Sequence, residues 1–424
     1  MDLKTCVKYG LERSPRIKAM EYEVKKAEQD LNAAKSDFFP SLGMSLYRER
    51  IDSISSKGPV DSDYEDQWID VFDMRVSQIL FAGMSVVNSY KKAKLYKKLV
   101  EFQEEQTKSR LILQIATTFF ELMKAKQDVL SYTEAVKHLE MNVKYARALL
   151  DKRLITPTDV LNTEVDLANM KVRLSQAKNQ VIVYRETLKT LIGIDQIKDV
   201  KFYTPLMPYL WEFSDSLDNC ITRALKSRSE VKIAYKQLEM AKKDKSIIGA
   251  KFIPSISLNI DYYTRKRFYD EMGRGFYGPY DRDQTNRYWI GQINAYWNIG
   301  RGGRDIFEVK KAEYEIQRIK KQIQDIKDQI STEVRNYYVS LKEAKQRISV
   351  AKKALYAAKQ NYKQTSKRFK LLVTNISAVL DAQARLTRAE ADYNQSILDY
   401  NISLARLYYS MGEDLEKKIM AIVY

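Results

Sequence analysis

The sequence predicts a mainly α-helical, internally duplicated fold in which two β-hairpins interrupt long helices. Residues 3–48 and 217–262 align without a gap at an offset of 214, and Val160 matches Val379 at an offset of 219. A duplication of this length means that both halves build the same unit. The chain has only 14 Gly and 8 Pro among 424 residues, and 30% of its residues are charged. Such a composition is typical of long uninterrupted helices.

Each repeat is expected to contain short helices, a hairpin, a very long helix and a shorter return helix. The first repeat, residues 1–195, has its hairpin at about 39–81, its long helix at about 85–154 and its return helix at about 158–192. The second repeat, residues 217–414, has these elements at about 253–298, 303–372 and 377–411. Residues 196–216 are expected to link the repeats, and residues 415–424 to form a C-terminal tail.

The strands are predicted by alternation of polar and apolar residues. Leu42, Met44 and Leu46 alternate with small polar residues, and the other three strands alternate similarly. Asp70 is an exception, because it falls on the apolar side of its strand. Aromatic residues near the strand ends are typical of a membrane interface, although a small soluble sandwich remains the alternative. The expected interface residues are Trp68, Trp289, Trp297 and Tyr288.

The long helices are predicted by an absence of helix breakers. Neither Gly nor Pro occurs from Ser85 to Leu154, a stretch that would measure ~105 Å as one helix. Apolar residues recur at spacings of three and four within it, which predicts packing against neighbouring helices. Gly193 and Gly412 follow the return helices, where they are expected to act as C-caps.

Four strands are too few to close a barrel around an interior. An open sheet in lipid would leave backbone N–H and C=O groups unpaired along its edges. A membrane-embedded sheet of this kind therefore requires several copies arranged in a closed ring. Three copies would supply twelve strands, an even number suited to an outer-membrane barrel. The helices, too long for a bilayer of ~30 Å, would continue the ring as an α-helical barrel in water.

Several function classes are disfavoured by the composition. The formal charge of +17 is compatible with nucleic acid, but the solvated faces of long helices explain it better, so no nucleic-acid partner is expected. His138 is the only histidine, which argues against a histidine-based metal or acid–base site. No catalytic constellation is present, so no enzymatic activity, metal or cofactor is expected. Cys6 and Cys220 occupy equivalent repeat positions and are interpreted as small apolar residues, with a disulfide left open.

Junction and turn segments then resemble the TolC family of outer-membrane efflux and secretion channels, the outer membrane factors. The resemblance covers nearly the whole chain and recurs in both halves. The segments that carry it are Phe39-Pro40-Ser41-Leu42, Leu80-Phe81-Ala82-Gly83, Thr158-Asp159-Val160-Leu161-Asn162, Ile253-Pro254-Ser255-Ile256, Trp297-Asn298-Ile299-Gly300-Arg301-Gly302-Gly303 and Val379-Leu380-Asp381-Ala382.

This resemblance implies a homotrimer in the outer membrane of a diderm bacterium, with a twelve-stranded barrel in lipid and a helical tube in the periplasm. The implied function is that of a passive exit duct of a tripartite efflux pump or a type I secretion system. The implied partners are a periplasmic adaptor protein, an inner-membrane transporter of the RND, ABC or MFS class, and outer-membrane lipid. The cargo stays open.

The resemblance also implies a gate at the periplasmic end. Asp381 matches one gate carboxylate of the family, whereas the position of the other is occupied by Ala378. Asp159 matches an acidic residue of the links that hold the closed state, and the partners in those links fall at Thr374 and Phe369. An alternative for Asp381 is that it lies in the first turn of its helix, where an acidic residue favours the helix dipole.

The two turns between long and return helices are the implied adaptor-docking tips. The family's tip glycines fall at Arg153 and Leu372. The complete set of tip residues is Arg153, Leu154, Ile155, Thr156, Leu372, Val373, Thr374 and Asn375.

Two lysine clusters follow the strands, and they are interpreted either as contacts to lipid phosphates or as solvated helix faces. The clusters comprise Lys91, Lys92, Lys94, Lys97, Lys98, Lys310, Lys311, Lys320 and Lys321. Two other protein classes fit the sequence less well than a channel. A basic cytoplasmic coiled-coil protein would not explain two alternating hairpins, and a periplasmic adaptor would carry one helical hairpin rather than two.

Overall fold

The computed structural model describes residues 1–56, 62–194, 200–202, 206–207, 213, 215–269, 284–371 and 373–420. Within these residues the first repeat contains α1 (Leu3–Arg13), α2 (Pro15–Ser36), β1 (Ser41–Ser56), β2 (Ser62–Ala82), α3 (Ser85–Asp151) and α4 (Pro157–Leu191). The remainder contains α5 (Leu217–Ser227), α6 (Ser229–Gly249), β3 (Ser255–Tyr269), β4 (Gln284–Tyr296), α7 (Arg304–Lys370), α8 (Ile376–Ser410) and α9 (Leu415–Met420).

The duplication is visible in the helix lengths. The helices α3 and α7 each contain 67 residues, and α4 and α8 each contain 35. No helix in the described part of the chain is both long enough and apolar enough to span a bilayer.

The chain forms two compact units, and each takes segments from both sequence repeats. The helical unit consists of Met1–Val24, Val100–Tyr235 and Lys321–Tyr424. The sheet unit consists of Lys25–Leu99 and Lys236–Lys320. The repeats visible in the sequence are therefore a different division of the chain from its spatial units.

The sheet unit contains one antiparallel sheet with the strand order β1-β2-β3-β4. The pairings Met44↔Met74, Met74↔Tyr262 and Tyr262↔Trp289 define one level across all four strands. A bulge between Ile79 and Phe81 shifts the β2–β3 register near the end of β2. Among the described residues, β1 and β4 each pair on one side only, so both are edge strands.

The helical unit has a core to which all nine described α-helices contribute, with Ile17 from α2 and Val231 from α6 among its buried residues. The apolar stripe predicted on α3 is confirmed, because Ile115 and Phe119 are both fully buried. They share this core with Leu3 of α1 and Leu404 of α8. Packing of this kind, rather than helix propensity alone, stabilises long helices.

Both predicted C-cap glycines are confirmed by their backbone conformations. Gly193 has φ +65° and Gly412 has φ +67°, which places both in the left-handed region. The amide of Ile194 donates to the Lys189 carbonyl at 3.1 Å, and the amide of Glu413 donates to the Tyr408 carbonyl at 3.2 Å. Each return helix thus ends in the same hydrogen-bonded turn.

Several predicted boundaries need correction. The first long helix ends at Asp151 rather than near 154, because Arg153 adopts φ +56° and leaves the helical conformation. Residues 415–420 of the predicted C-terminal tail form α9, which buries Leu415 and Ile419 in the core. The loops between the strands of the two predicted hairpins include residues 57–61 and 270–283, which lie outside the described residues.

The predicted linker also contributes to the core. Phe202 is 2% exposed and lies in the main hydrophobic cluster. The ring of Phe213 packs edge-on against Tyr338 and Tyr408, with centroid distances of 6.1 and 5.9 Å. This segment connects the repeats, and its aromatic side chains also hold it against the helices.

Candidate functional site

The sheet has one apolar and one polar face, as the alternation predicts. The register places Leu42, Met44 and Leu46 of β1 on the same face as Met74 of β2 and Ile260 of β3. The three β1 side chains are 67%, 67% and 77% exposed. An apolar surface with this much exposure is typical of a face that contacts lipid or another protein.

The polar face carries hydrogen-bonded pairs across the strands. The Arg75 guanidinium donates to the Asp261 carboxylate, which is 5% exposed and also accepts from Gln292 Nε2 at 3.5 Å. The Ser77 hydroxyl donates to Asn259 Oδ1 at 2.6 Å. Charges and amides satisfied in this way suit a face that borders water.

The four predicted interface aromatics do not share one face. Trp68 and Trp289 lie on the apolar face, and the Trp289 ring lies 4.8 Å from that of Tyr262. Tyr288 lies on the polar face, where its ring is 4.9 Å from that of Tyr263. Trp297 follows the end of β4, and its Nε1 donates to the Phe252 carbonyl at 3.2 Å. Tyr288 and Trp289 are neighbours in the sequence, so their side chains lie on opposite faces of the strand, although the prediction groups them together.

Asp70 lies on the apolar face and is paired there. Arg48, directly opposite on β1, donates from Nε to Asp70 Oδ1 at 2.5 Å and from an η nitrogen to Oδ2 at 2.7 Å. Two parallel hydrogen bonds of this kind make a strong, oriented ion pair. The sequence marks Asp70 as an exception, but its partner is visible only in the strand register.

The first tip is built by local hydrogen bonds. Thr156 caps α4, and its amide and hydroxyl donate to Asp159 Oδ2 at 2.9 and 2.8 Å. These hydrogen bonds hold the pKa of Asp159 below its usual range. Arg153 has the left-handed backbone that a tip glycine would adopt, and the Leu154 amide donates to the Leu149 carbonyl at 2.9 Å. The turn therefore keeps a glycine-type conformation without glycine.

The second tip repeats this design with one change. Asn375 caps α8, and its Oδ1 accepts from the Ala378 amide at 3.0 Å. Ala378 occupies the repeat position of Asp159, so the reciprocal carboxylate is missing here. The Val373 amide donates to the Arg368 carbonyl at 2.9 Å. Leu372 lies outside the described residues, and Ile155 and Thr374 are partly exposed.

Phe369 belongs to the core beside the tips. It is 4% exposed, and its ring meets that of Tyr145 edge-on at a centroid distance of 5.2 Å. The same cluster contains Leu149, Ile376 and Val379. The structure therefore places Phe369 as a packing residue between the ends of the helix pairs.

Asp381 is exposed and lies in the second turn of α8, which has no acidic residue in its first turn. The alternative based on the helix dipole is therefore wrong, because that effect is confined to the first turn. A second carboxylate, Asp166 of α4, lies close enough to Asp381 for its charge to matter. Asp166 is itself exposed, and a partial loss of hydration, followed by the charge of Asp381, raises the pKa of its carboxyl. Sequence reasoning missed Asp166, although it lies one heptad beyond Asp159.

Two lysines of the predicted clusters form ion pairs within the sheet unit. Lys92 pairs with Asp244 at 2.6 Å, and Lys97 pairs with Glu28 at 2.8 Å. For these two lysines the pairs favour the interpretation as helix surface. Lys94 and Lys310 are exposed.

The cysteines are both buried and free. Burial raises the pKa of the Cys6 thiol to about 12, which keeps it protonated and unreactive. Within the described ranges, no group of three or more His, Cys, Asp or Glu side chains could hold a metal ion.

One face of α4 is exposed in the part of the chain that the structure describes. Leu161, Val165, Val172 and Ile182 are 59%, 57%, 57% and 49% exposed. Their separations of 4, 7 and 10 residues place all four on one register of alternating four and three. The equivalent helix α8 buries 18 of its 35 residues within the chain, whereas α4 buries six of 35. The two helices are equal in length but differ in how much of their surface the chain covers. The four exposed apolar residues of α4 form a row suited to coiled-coil packing, which we call the α4 stripe.

Comparison with known proteins gives a consistent result. The profile of the family described as outer membrane efflux protein matches residues 8–194 and 220–413. The sequence matches none of the curated proteins with which it was compared.

Solved channels share the fold. The outer-membrane channel OprN aligns with a TM-score of 0.80 at 16% identity, over 98% of this chain and 90% of its own. The outer membrane protein VceC of Vibrio cholerae aligns with a TM-score of 0.79 at 15% identity, over 97% and 96% of the two chains. The outer membrane channel CmeC of Campylobacter jejuni aligns with a TM-score of 0.79 at 17% identity, over 99% and 88%. Because the family match spans both halves of the sequence, the chain belongs to the outer membrane efflux protein family.

Proposed function

We propose that three copies of this chain form a passive exit duct through the outer membrane, open at its sheet end and gated at its helical tips. The observation that carries the proposal is the two-faced sheet with β1 and β4 as edge strands. In lipid each unpaired edge group would cost several kcal/mol, so β4 of one copy must pair with β1 of the next. Three copies of four strands give an even, closed barrel.

The α4 stripe supports the same assembly. Its exposed apolar residues need a partner helix, and within the described part of the chain they remain uncovered. In a head-to-tail ring the stripe would pack against a different helix of the next copy. The helix α7 exposes Val339 and Val350 and is a candidate for that contact.

The gate in this proposal is formed by carboxylates at the helical tips. Three copies of Asp381 would form a ring, and Asp166 adds a second carboxylate near each. Like charges at close range attract cations and resist full ionisation. The missing acidic residue at Ala378 is thus replaced by one from α4.

The remaining assignments follow from the family. The exposed turns around Arg153 and Thr374 would dock a periplasmic adaptor, which connects the duct to an inner-membrane transporter that supplies the energy. Trp68, Trp289 and Trp297 would lie at the lipid interface, where amphipathic rings are favoured. Efflux and type I secretion are both compatible with such a duct.

The assembly is tested on purified protein by native mass spectrometry and by single-channel recording in planar bilayers. The wild type is expected to be a trimer that forms pores. The double variant Val165→Glu/Val172→Glu is expected to lose the trimer, because it places charges in the seams of all three copies. The control Asn169→Glu/Gln180→Glu adds the same charge to exposed positions beside the α4 stripe and is expected to stay trimeric. A monomeric wild type without pore activity would refute the proposal.

A further inference from the structure

We propose that the apolar face of the sheet ends in a cation band that binds the phosphate groups of outer-membrane lipid. The band consists of Arg48, Arg50, Lys266 and Arg287. This inference rests on the proposed function, because the apolar face contacts lipid only if the sheet is part of a membrane barrel.

The strand register brings the four cations together. Arg48 on β1 pairs with Asp70 on β2, which pairs with Lys266 on β3, so these three residues lie at one level. Arg287 lies one level nearer the helices, opposite Thr264. Arg50 lies one level farther away, opposite Trp68. All four cations therefore point from the same face, close to the level of the Arg48–Asp70 pair.

These side chains are accessible to a ligand. Arg50, Lys266 and Arg287 are exposed, and the Arg48 side chain is 60% exposed although it is paired with Asp70. The Arg50 guanidinium lies 5.5 Å from the Trp68 ring centroid, which orients it beside an aromatic surface. Among the described side chains of this face, Asp70 is the one carboxylate, and the register places Asp52 opposite Asp66 one level beyond Arg50. On its own three levels the band thus has four cations and one carboxylate.

The position of the band matches the edge of a hydrocarbon layer. Below it the face is apolar, with Met44, Val76, Ile260 and Ile293 on its levels. From Ile256 to Thr264 the strand advances about 27 Å, or about 20 Å along the membrane normal at a tilt of ~45°. This approaches the ~25 Å apolar band of outer-membrane barrels. The cation band therefore lies at the level expected for lipid headgroups, toward the end of the sheet away from the helices.

The chemistry selects a phosphorylated lipid rather than a free anion. Guanidinium groups match phosphate oxygens with paired hydrogen bonds. A ligand that places acyl chains on the apolar levels and phosphate on the band would use both parts of this surface. Asp70 holds Arg48 in place and at the same time reduces the charge available to the ligand.

The test uses the full-length protein in a non-ionic detergent and bisphosphorylated lipid A as the probe, with retained lipid counted by native mass spectrometry. Each cation near a lipid surface contributes about fivefold to binding. The variant Arg48→Gln/Arg50→Gln/Lys266→Gln/Arg287→Gln is expected to weaken binding at least about tenfold. The matched control is Lys352→Gln/Lys353→Gln/Lys359→Gln/Lys363→Gln, which loses the same charge from exposed positions of α7 and is expected to bind normally.

Three further arms separate the possible results. Dephosphorylated lipid A is expected to bind the wild type as weakly as the quadruple variant binds the intact lipid. Asp70→Asn is expected to strengthen binding, because it releases the charge of Arg48. Inorganic phosphate at equal phosphate concentration is expected to compete poorly, and full competition would refute a lipid site.

Equal binding by the wild type and the quadruple variant would overturn the inference. Pore activity in zwitterionic bilayers is measured on the same samples. If the wild type and the quadruple variant both form pores and bind lipid equally well, the inference is wrong and the proposed function stands.

Discussion

Replacement of Gly412 by alanine is expected to destabilise the helical unit strongly. Gly412 follows α8 with φ +67°, a conformation that costs a residue with a Cβ atom about 1–2 kcal/mol. A Cβ atom at this position would lie 2.8 Å from the backbone nitrogen of Arg228 and 3.0 Å from the Ser227 carbonyl carbon. Both neighbours are backbone atoms at the end of α5, so neither can rotate away.

The expected loss in the free energy of unfolding is the sum of these two effects. Overpacking against a fixed neighbour costs typically 1–3 kcal/mol, so the total is about 2–5 kcal/mol. Gly193 has the same role in the first repeat, since its Cβ would lie 3.0 Å from the Arg13 carbonyl oxygen. Gly193→Ala is therefore expected to have a similar effect.

The assay is denaturant unfolding of the detergent-solubilised protein, followed by circular dichroism at a helical wavelength. Gly249→Ala is the matched control, because Gly249 has a helical backbone and a Cβ atom added there would meet no other atom within 4 Å. That control is expected to be neutral or to stabilise by about 0.5–1 kcal/mol. If Gly412→Ala unfolds at the same denaturant concentration as the control, the argument from backbone geometry is wrong.

Three further changes test other parts of the chain. Arg228 is buried and pairs with both Glu230 and Glu333. Arg228→Met removes this cation and is expected to cost about 3 kcal/mol in denaturant unfolding, and an unchanged midpoint contradicts this. Asp381→Asn is expected to raise single-channel conductance or reduce block by divalent cations, and unchanged recordings count against the carboxylate ring. Thr156→Ala is expected to cost about 1 kcal/mol and to speed amide exchange in the first turn of α4 alone. Because the pKa of Asp159 is lowered, its capping contribution is present above its unfolded pKa of about 3.9 and is lost as pH falls through the lower folded value. Amide exchange in that turn, measured down the acid range, is expected to stay slow until the pH falls below about 4.

Much of the fold could be predicted because its determinants are local. Absence of Gly and Pro defines the long helices, and alternation along a strand defines its faces. Gly193 and Gly412 mark the helix ends because few other residues adopt a left-handed backbone without cost. Because the sequence is duplicated, each of these local patterns occurs twice.

The rest depends on contacts between distant segments. The pairing of Arg48 with Asp70 requires the strand register, which no single strand contains. The proximity of Asp166 to Asp381 joins helices from different repeats. Arg153 adopts a left-handed conformation that its own side chain disfavours, and only the family resemblance, which places a tip glycine there, signals it.

The unequal burial of α4 and α8 determines how substitutions in these two helices cause loss of function. A polar substitution at one of the buried positions of α8 disturbs a single chain as it folds, because the neighbours of those positions belong to that chain. A polar substitution on the open seam of α4 is harmless until subunits meet. Loss-of-function variants should accordingly divide into those that are degraded as monomers and those that accumulate as intact but unassembled subunits.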